Sequence, residues 1–107
     1  MSDTETTVLG ADAPTGDRGE LLLARTPILA LRLWEGEEAG EQSPEHANEY
    51  DYVAYVLSGA LRVRIGEAAA VEVRAGDSYA VPAGTAYAFA VTETAKVVEA
   101  VAPGSAV

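Results

Sequence analysis

From Glu20 onward, apolar and polar residues alternate with a period of two, and no segment longer than a few residues repeats every 3.6. Residues 21–25 (LLLAR) read as a short strand. Residues 28–34 (ILALRLW) place Leu29, Leu31 and Leu33 on one face and Ala30, Arg32 and Trp34 on the other. The pattern leaves open which of those faces is inner. Further strands are expected over 51–57, 60–65, 68–74, 79–82, 85–91 and 95–102, with turn residues between them. In 60–65, Leu61, Val63 and Ile65 point one way and Arg62 and Arg64 the other. A tight turn at Gly66 is expected to set Arg62 opposite Glu72. In 85–91, Thr85, Tyr87, Phe89 and Val91 share a face, with Ala86, Ala88 and Ala90 behind.

Short apolar strands at near-regular spacing point to an all-β sandwich or barrel, a closed form that hides strand edges. Residues 35–49 break the alternation and read as a long acidic loop. Residues 1–18 are polar with little periodicity and read as a flexible acidic arm, docking a short strand near Val8 and Leu9. Residues 19–107 then form the folded domain.

Composition narrows the function classes. The 107 residues suit one domain, and 49% hydrophobic with 22% charged residues is ordinary for a packed core. No apolar run is long enough to span a membrane. The N-terminus lacks the basic start and apolar stretch of a signal peptide, and the chain has no cysteine, so a cytoplasmic location is expected. The net charge of −10 argues against nucleic acid and anionic membrane as partners. The acidic residues from Glu35 to Asp51 read as a solvated loop.

Two stretches carry turn residues at telling spacings. In residues 40–59, Gly40, His46 and Gly59 fit G-x5-H-x-H-x3-E-x6-G; in residues 76–91, Gly76, Pro82 and Gly84 fit G-x5-P-x-G-x2-H-x3-N. Both resemble the two motifs of the cupin superfamily, and the resemblance covers roughly residues 28–102. It implies a single-domain cupin β-barrel of jelly-roll type, made of two antiparallel sheets. Metal-binding members of that family take two histidines and a glutamate from the first motif and a histidine from the second. Here those positions hold His46, Asn48, Tyr52 and Tyr87, and the closing asparagine is Val91.

One imidazole, one amide and two phenols are a poor set for a divalent first-row metal, so no metal or other cofactor is expected. The register that the resemblance implies turns His46, Asn48, Tyr52 and Tyr87 into the barrel, and alternation adds Ala54, Val56, Phe89 and Val91. Aromatic and small apolar walls with a few polar groups describe a small-molecule site. The leading expectation is metal-independent binding of a small, partly apolar organic ligand by His46, Asn48, Tyr52, Val56, Tyr87 and Phe89. One alternative is a metal-independent lyase or isomerase in which His46 works with Tyr52 or Tyr87 as acid and base. Another is an atypical metal-dependent cupin resembling the dioxygenases, with ferric iron on the phenols. A structural role for His46, and a barrel plugged by Tyr52 and Tyr87, remain open on the sequence. A homodimer is expected, with the edge at Leu21–Arg25 covered or exchanged.

Overall fold

The computed structural model of the chain describes residues 4–102. Met1–Asp3 of the expected arm and residues 103–107 of the expected domain lie outside them. Six strands follow in order: β1 (Leu21–Thr26), β2 (Leu29–Glu37), β3 (Tyr52–Ile65), β4 (Val71–Arg74), β5 (Ser78–Val81) and β6 (Tyr87–Val101). The one helical piece among the described residues is a 3-10 turn at Gly10–Asp12. All strand pairs are antiparallel, in the order β1-β2-β6-β3-β4, with β5 also pairing β3. The all-β antiparallel fold stands as the sequence predicts, with a jelly-roll arrangement whose six strands belong to one sheet that does not close on itself.

The strands expected separately over 51–57 and 60–65 are one strand, β3, and those over 85–91 and 95–102 are one strand, β6. Ser58 and Gly59 do not reverse the chain. They form a kink where the β3–β6 register slips three times between Val56 and Leu61. Gly59 holds φ +79° and lies against the Thr94 backbone, so a side chain has no room there. The kink divides the sheet into two halves. In one, Tyr52–Tyr55 pairs with β5 and with the end of β6 beside β2 and β1; in the other, Leu61–Val63 pairs with β4 and with Val91–Phe89. This division gives the jelly roll its two layers. Val56, Val81 and Val101 are fully buried between them.

The segment after β2 is more ordered than a solvated loop. Gly40, Glu41, Ser43 and His46 exchange backbone hydrogen bonds with Val91, Phe89 and Tyr87 at 2.8–3.1 Å, so this stretch covers the free edge of β6. Edge groups of a buried strand need partners, and the irregular chain around Pro44 supplies them.

The N-terminal residues follow β1. Glu5 and Arg25 exchange backbone bonds of 2.8 and 3.0 Å, and Leu22 N–H donates to the Pro14 carbonyl at 2.8 Å. The pairing thus falls at Glu5 and Thr15 rather than at Val8 and Leu9. It covers part of the β1 edge. Arg62 stands opposite Glu72 as the turn predicts, but the Glu72 carboxylate meets Arg74 at 2.7 Å, and Arg74 also reaches Glu93 at 2.9 Å.

Candidate functional site

Between the two halves lies a cavity of about 530 Å3. Six of the seven aromatic side chains line it (Trp34, Tyr50, Tyr52, Tyr79, Tyr87 and Phe89), and Tyr55 is the exception. Tyr52 and Tyr87 therefore wall the barrel without filling it. Their rings meet edge-on with centroids 5.6 Å apart, and Tyr52 meets Tyr79 in the same way at 6.2 Å.

His46 is set in place by backbone pairing to Tyr87 in both directions, 3.1 and 2.9 Å. Its ring stacks obliquely on the Tyr87 ring, centroids 4.5 Å apart. Nδ1 lies 3.2 Å from the Pro44 carbonyl oxygen, which only accepts, so Nδ1 carries the proton. Nε2 in the neutral ring is then an acceptor, and it is buried with no partner among the described residues. Asn48 Nδ2 donates to the Tyr87 hydroxyl at 3.1 Å, while the Asn48 carbonyl accepts from Gly84 N–H at 2.8 Å. Asn48 thus ties the first motif to the second, and it leaves the Tyr87 O–H free to donate elsewhere.

Of the residues singled out in the sequence, His46, Tyr52, Tyr87 and Phe89 line the cavity together. Asn48 stands behind Tyr87. Val56 is fully buried in the core and Val91 nearly so.

The sequence pattern alone did not single out the ion pair on the inner wall. The Ala30–Arg32–Trp34 face of β2 points inward, leaving Leu29 and Leu31 exposed. Arg32 pairs in register with Glu99 on β6, and its Nη2 donates to Glu99 Oε1 at 2.8 Å with both side chains over nine-tenths buried. Its guanidinium carbon stands 5.8 Å from the Tyr50 ring centroid. Burial opposes the Arg32 charge, but Glu99 and Tyr50 outweigh it and raise the pKa. The signal in the sequence was a lone arginine in an otherwise apolar strand. It became readable only beside Glu99, 67 residues away.

The four motif positions do not fit a divalent metal. Burial, and then Tyr79, Tyr87 and Glu99, push the Tyr52 hydroxyl far above its ordinary pKa, and burial does the same for Tyr79. Phenolate is the form in which tyrosine ligates well, and at Tyr52 it is strongly disfavoured. Asn48 offers only a neutral amide oxygen, a weak ligand for such an ion. Among the described residues no three or more His, Cys, Asp or Glu side chains gather into a ligand set.

Glu37 also lines the cavity, and its pKa is raised by burial and then by Glu41 and Glu99. A carboxyl whose folded-state pKa is raised favours the folded state at low pH, and that contribution is lost as pH rises through the folded value. Glu37→Gln should therefore raise the melting temperature at pH 7, with the gain shrinking toward pH 4; a pH series of thermal melts reads it directly.

The comparisons agree with this architecture. The family model for the cupin domain matches residues 33–102. No curated protein matches the chain. An RmlC-like cupin from Shewanella frigidimarina superposes with a TM-score of 0.84 at 20% identity, covering 97% of this chain and 96% of that one. KdgF from a Halomonas species gives 0.77 at 23% identity, with 94% of each chain covered. A conserved Streptococcus pyogenes protein of unknown function gives 0.70 at 18%, covering 99% and 98%. At these identities the structural likeness speaks for the fold. With the family model spanning more than half of the sequence and the strands and turns in place, this chain belongs to the cupin family.

Proposed function

We propose that the barrel binds a small, partly apolar organic ligand without a metal. The observation that carries this reading is the open cavity of about 530 Å3, walled by six aromatic side chains with charged and polar groups set among them. Trp34 is the chain's single tryptophan and lines that cavity, so its fluorescence is a built-in reporter. A fragment screen read by Trp34 emission and by 1H–15N spectra should return ligands that perturb Trp34 and Tyr87 together. A screen in which no ligand moves either residue would overturn the reading. Metal independence has its own check: protein purified without chelators should hold far less than one equivalent of iron, zinc, nickel or manganese.

One observation favours a second reading, a metal-independent lyase or isomerase. His46 offers Nε2 as a base, and the neighbouring Tyr87 hydroxyl has its proton available because Asn48 occupies the oxygen as donor. That arrangement selects Tyr87 rather than Tyr52 as the acid. In this reading His46→Ala abolishes turnover of a bound substrate; in the binding reading it only weakens affinity.

The expected homodimer is proposed here through a sheet face. Leu29, Leu31, Val53, Tyr55 and Leu57 are 41–57% exposed on the outer side of the larger half. Leu31, Ala100, Val53 and Ala80 stand side by side across four strands. An apolar sheet face of this kind is what a second copy would cover. Leu31→Glu should convert a dimer to a monomer in light scattering after gel filtration. A wild-type chain that is monomeric at high micromolar concentration would rule the dimer out.

A further inference from the structure

We infer that the ligand bears a carboxylate, received by Arg18 and Arg32 in the cavity wall; this deepens the binding reading and rests on it. The chain has 7 basic and 17 acidic side chains, so a cation without a carboxylate partner is unexpected. Arg18 lines the cavity, and no ion pair or side-chain hydrogen bond engages its guanidinium among the described residues.

Its position is built rather than incidental. The buried Glu20 accepts the Arg18 backbone N–H on Oε1 at 3.0 Å, and the Glu20 carbonyl accepts from Gly16 N–H at 2.7 Å. Gly16 lies close against the Glu20 side chain, which would have to shift to admit a Cβ there. The turn thus fixes the backbone of an exposed arginine whose side chain lines the cavity.

Arg32 supplies the second cation, deeper in the wall. It is 93% buried, and its Nε has no hydrogen-bond partner among the described residues, since Glu99 takes only Nη2. A buried donor left unmade is costly, and a guanidinium fork matches a carboxylate in geometry.

Three glutamates share this wall, but Glu99 is held by Arg32, Glu41 Oε1 accepts the Glu38 backbone N–H at 2.7 Å, and burial raises the pKa of Glu37. They do restrict the ligand's charge. A phosphate dianion meets more repulsion from this wall than a singly charged carboxylate. The aromatic walls then accommodate the apolar remainder of an organic acid.

The test uses the full chain and matched probes: benzoate and hexanoate, their amides, benzylammonium and inorganic phosphate. Affinities come from 1H–15N titrations that follow the Trp34 indole and the arginine Nε–H signals. The acids should bind roughly tenfold or more tightly than the amides, as charge-assisted hydrogen bonds exceed neutral ones. Arg18→Ala, a change at an exposed side chain, should erase most of that preference for acid over amide. Equal binding of acid and amide, or tighter binding of benzylammonium or phosphate, overturns the carboxylate assignment and leaves the cavity reading standing. An undiminished preference in Arg18→Ala removes Arg18 from the site and overturns the assignment as stated. Failure of every probe to perturb Trp34 overturns both.

Discussion

Glu99→Ala should lower the unfolding free energy by about 3–5 kcal/mol, because it leaves the Arg32 charge buried without its partner. The two side chains are 8% and 9% exposed, so water does not replace the lost carboxylate. Arg32 already has an unpartnered Nε, and the substitution would orphan Nη2 as well. The pair as a whole is a different matter. Desolvating both ions offsets much of their attraction, and apolar residues of similar volume often replace a buried pair at little cost. The double variant Arg32→Met/Glu99→Leu should therefore recover most of the loss. Urea denaturation of the wild type, the single variant and the double variant measures this. A single variant within about 1 kcal/mol of wild type would mean that the buried charge finds water or another partner. The recovered double variant should at the same time lose carboxylate selectivity, since stability and recognition ask different things of Arg32.

The second large effect belongs to Gly59→Ala. Two costs act together. The residue holds φ +79°, and an added Cβ would overlap the Thr94 carbonyl oxygen and the Ala95 backbone. Left-handed backbone strain and forced overpacking each cost of order 1–3 kcal/mol, so a loss of about 3 kcal/mol or more is expected. For a chain of this length that lowers the melting temperature by more than about 12 °C. The expected damage is also specific in place. The kink sets the two halves of β3 into different layers, and the cavity lies between those layers. A variant that stays folded should show its largest amide shifts near Ser58–Leu61 and Thr94–Ala95, and in Trp34. A Gly59→Ala protein as stable as wild type would mean that β6 moves aside freely.

Both effects concern features the sequence displayed without their consequences. Gly59 is legible as a motif glycine, but the local pattern makes it the turn between two strands. Its left-handed conformation is common to a turn and a bulge, and only the long pairing with β6 distinguishes them. Arg32 was legible as the odd residue on one face of β2. Alternation alone leaves open whether that face or the leucine face opposite it is the inner one. Glu99, in register across the sheet, makes the inward orientation stable. Glu37 and the covered edge at Gly40–His46 follow the same logic, because an acidic run reads as solvated until a strand edge is seen beneath it.

Local chemistry was sufficient for the all-β class, the alternation within strands, the Arg62–Glu72 register and the turns at Gly40, Gly76 and Gly84. Each depends on near neighbours or on the period of the pleat. The register that the resemblance implies placed His46, Tyr52 and Tyr87 around one space, and the two-residue period of the strand added Phe89 beside Tyr87. Tertiary structure decided the rest: that the phenols leave a cavity, that Asn48 turns its amide onto Tyr87, that Val56 belongs to the core, and that Arg18 and Arg32 reach the wall. Those outcomes depend on pairings such as Arg32–Glu99, 67 residues apart, where packing and charge compensation rather than local pattern choose the inner face.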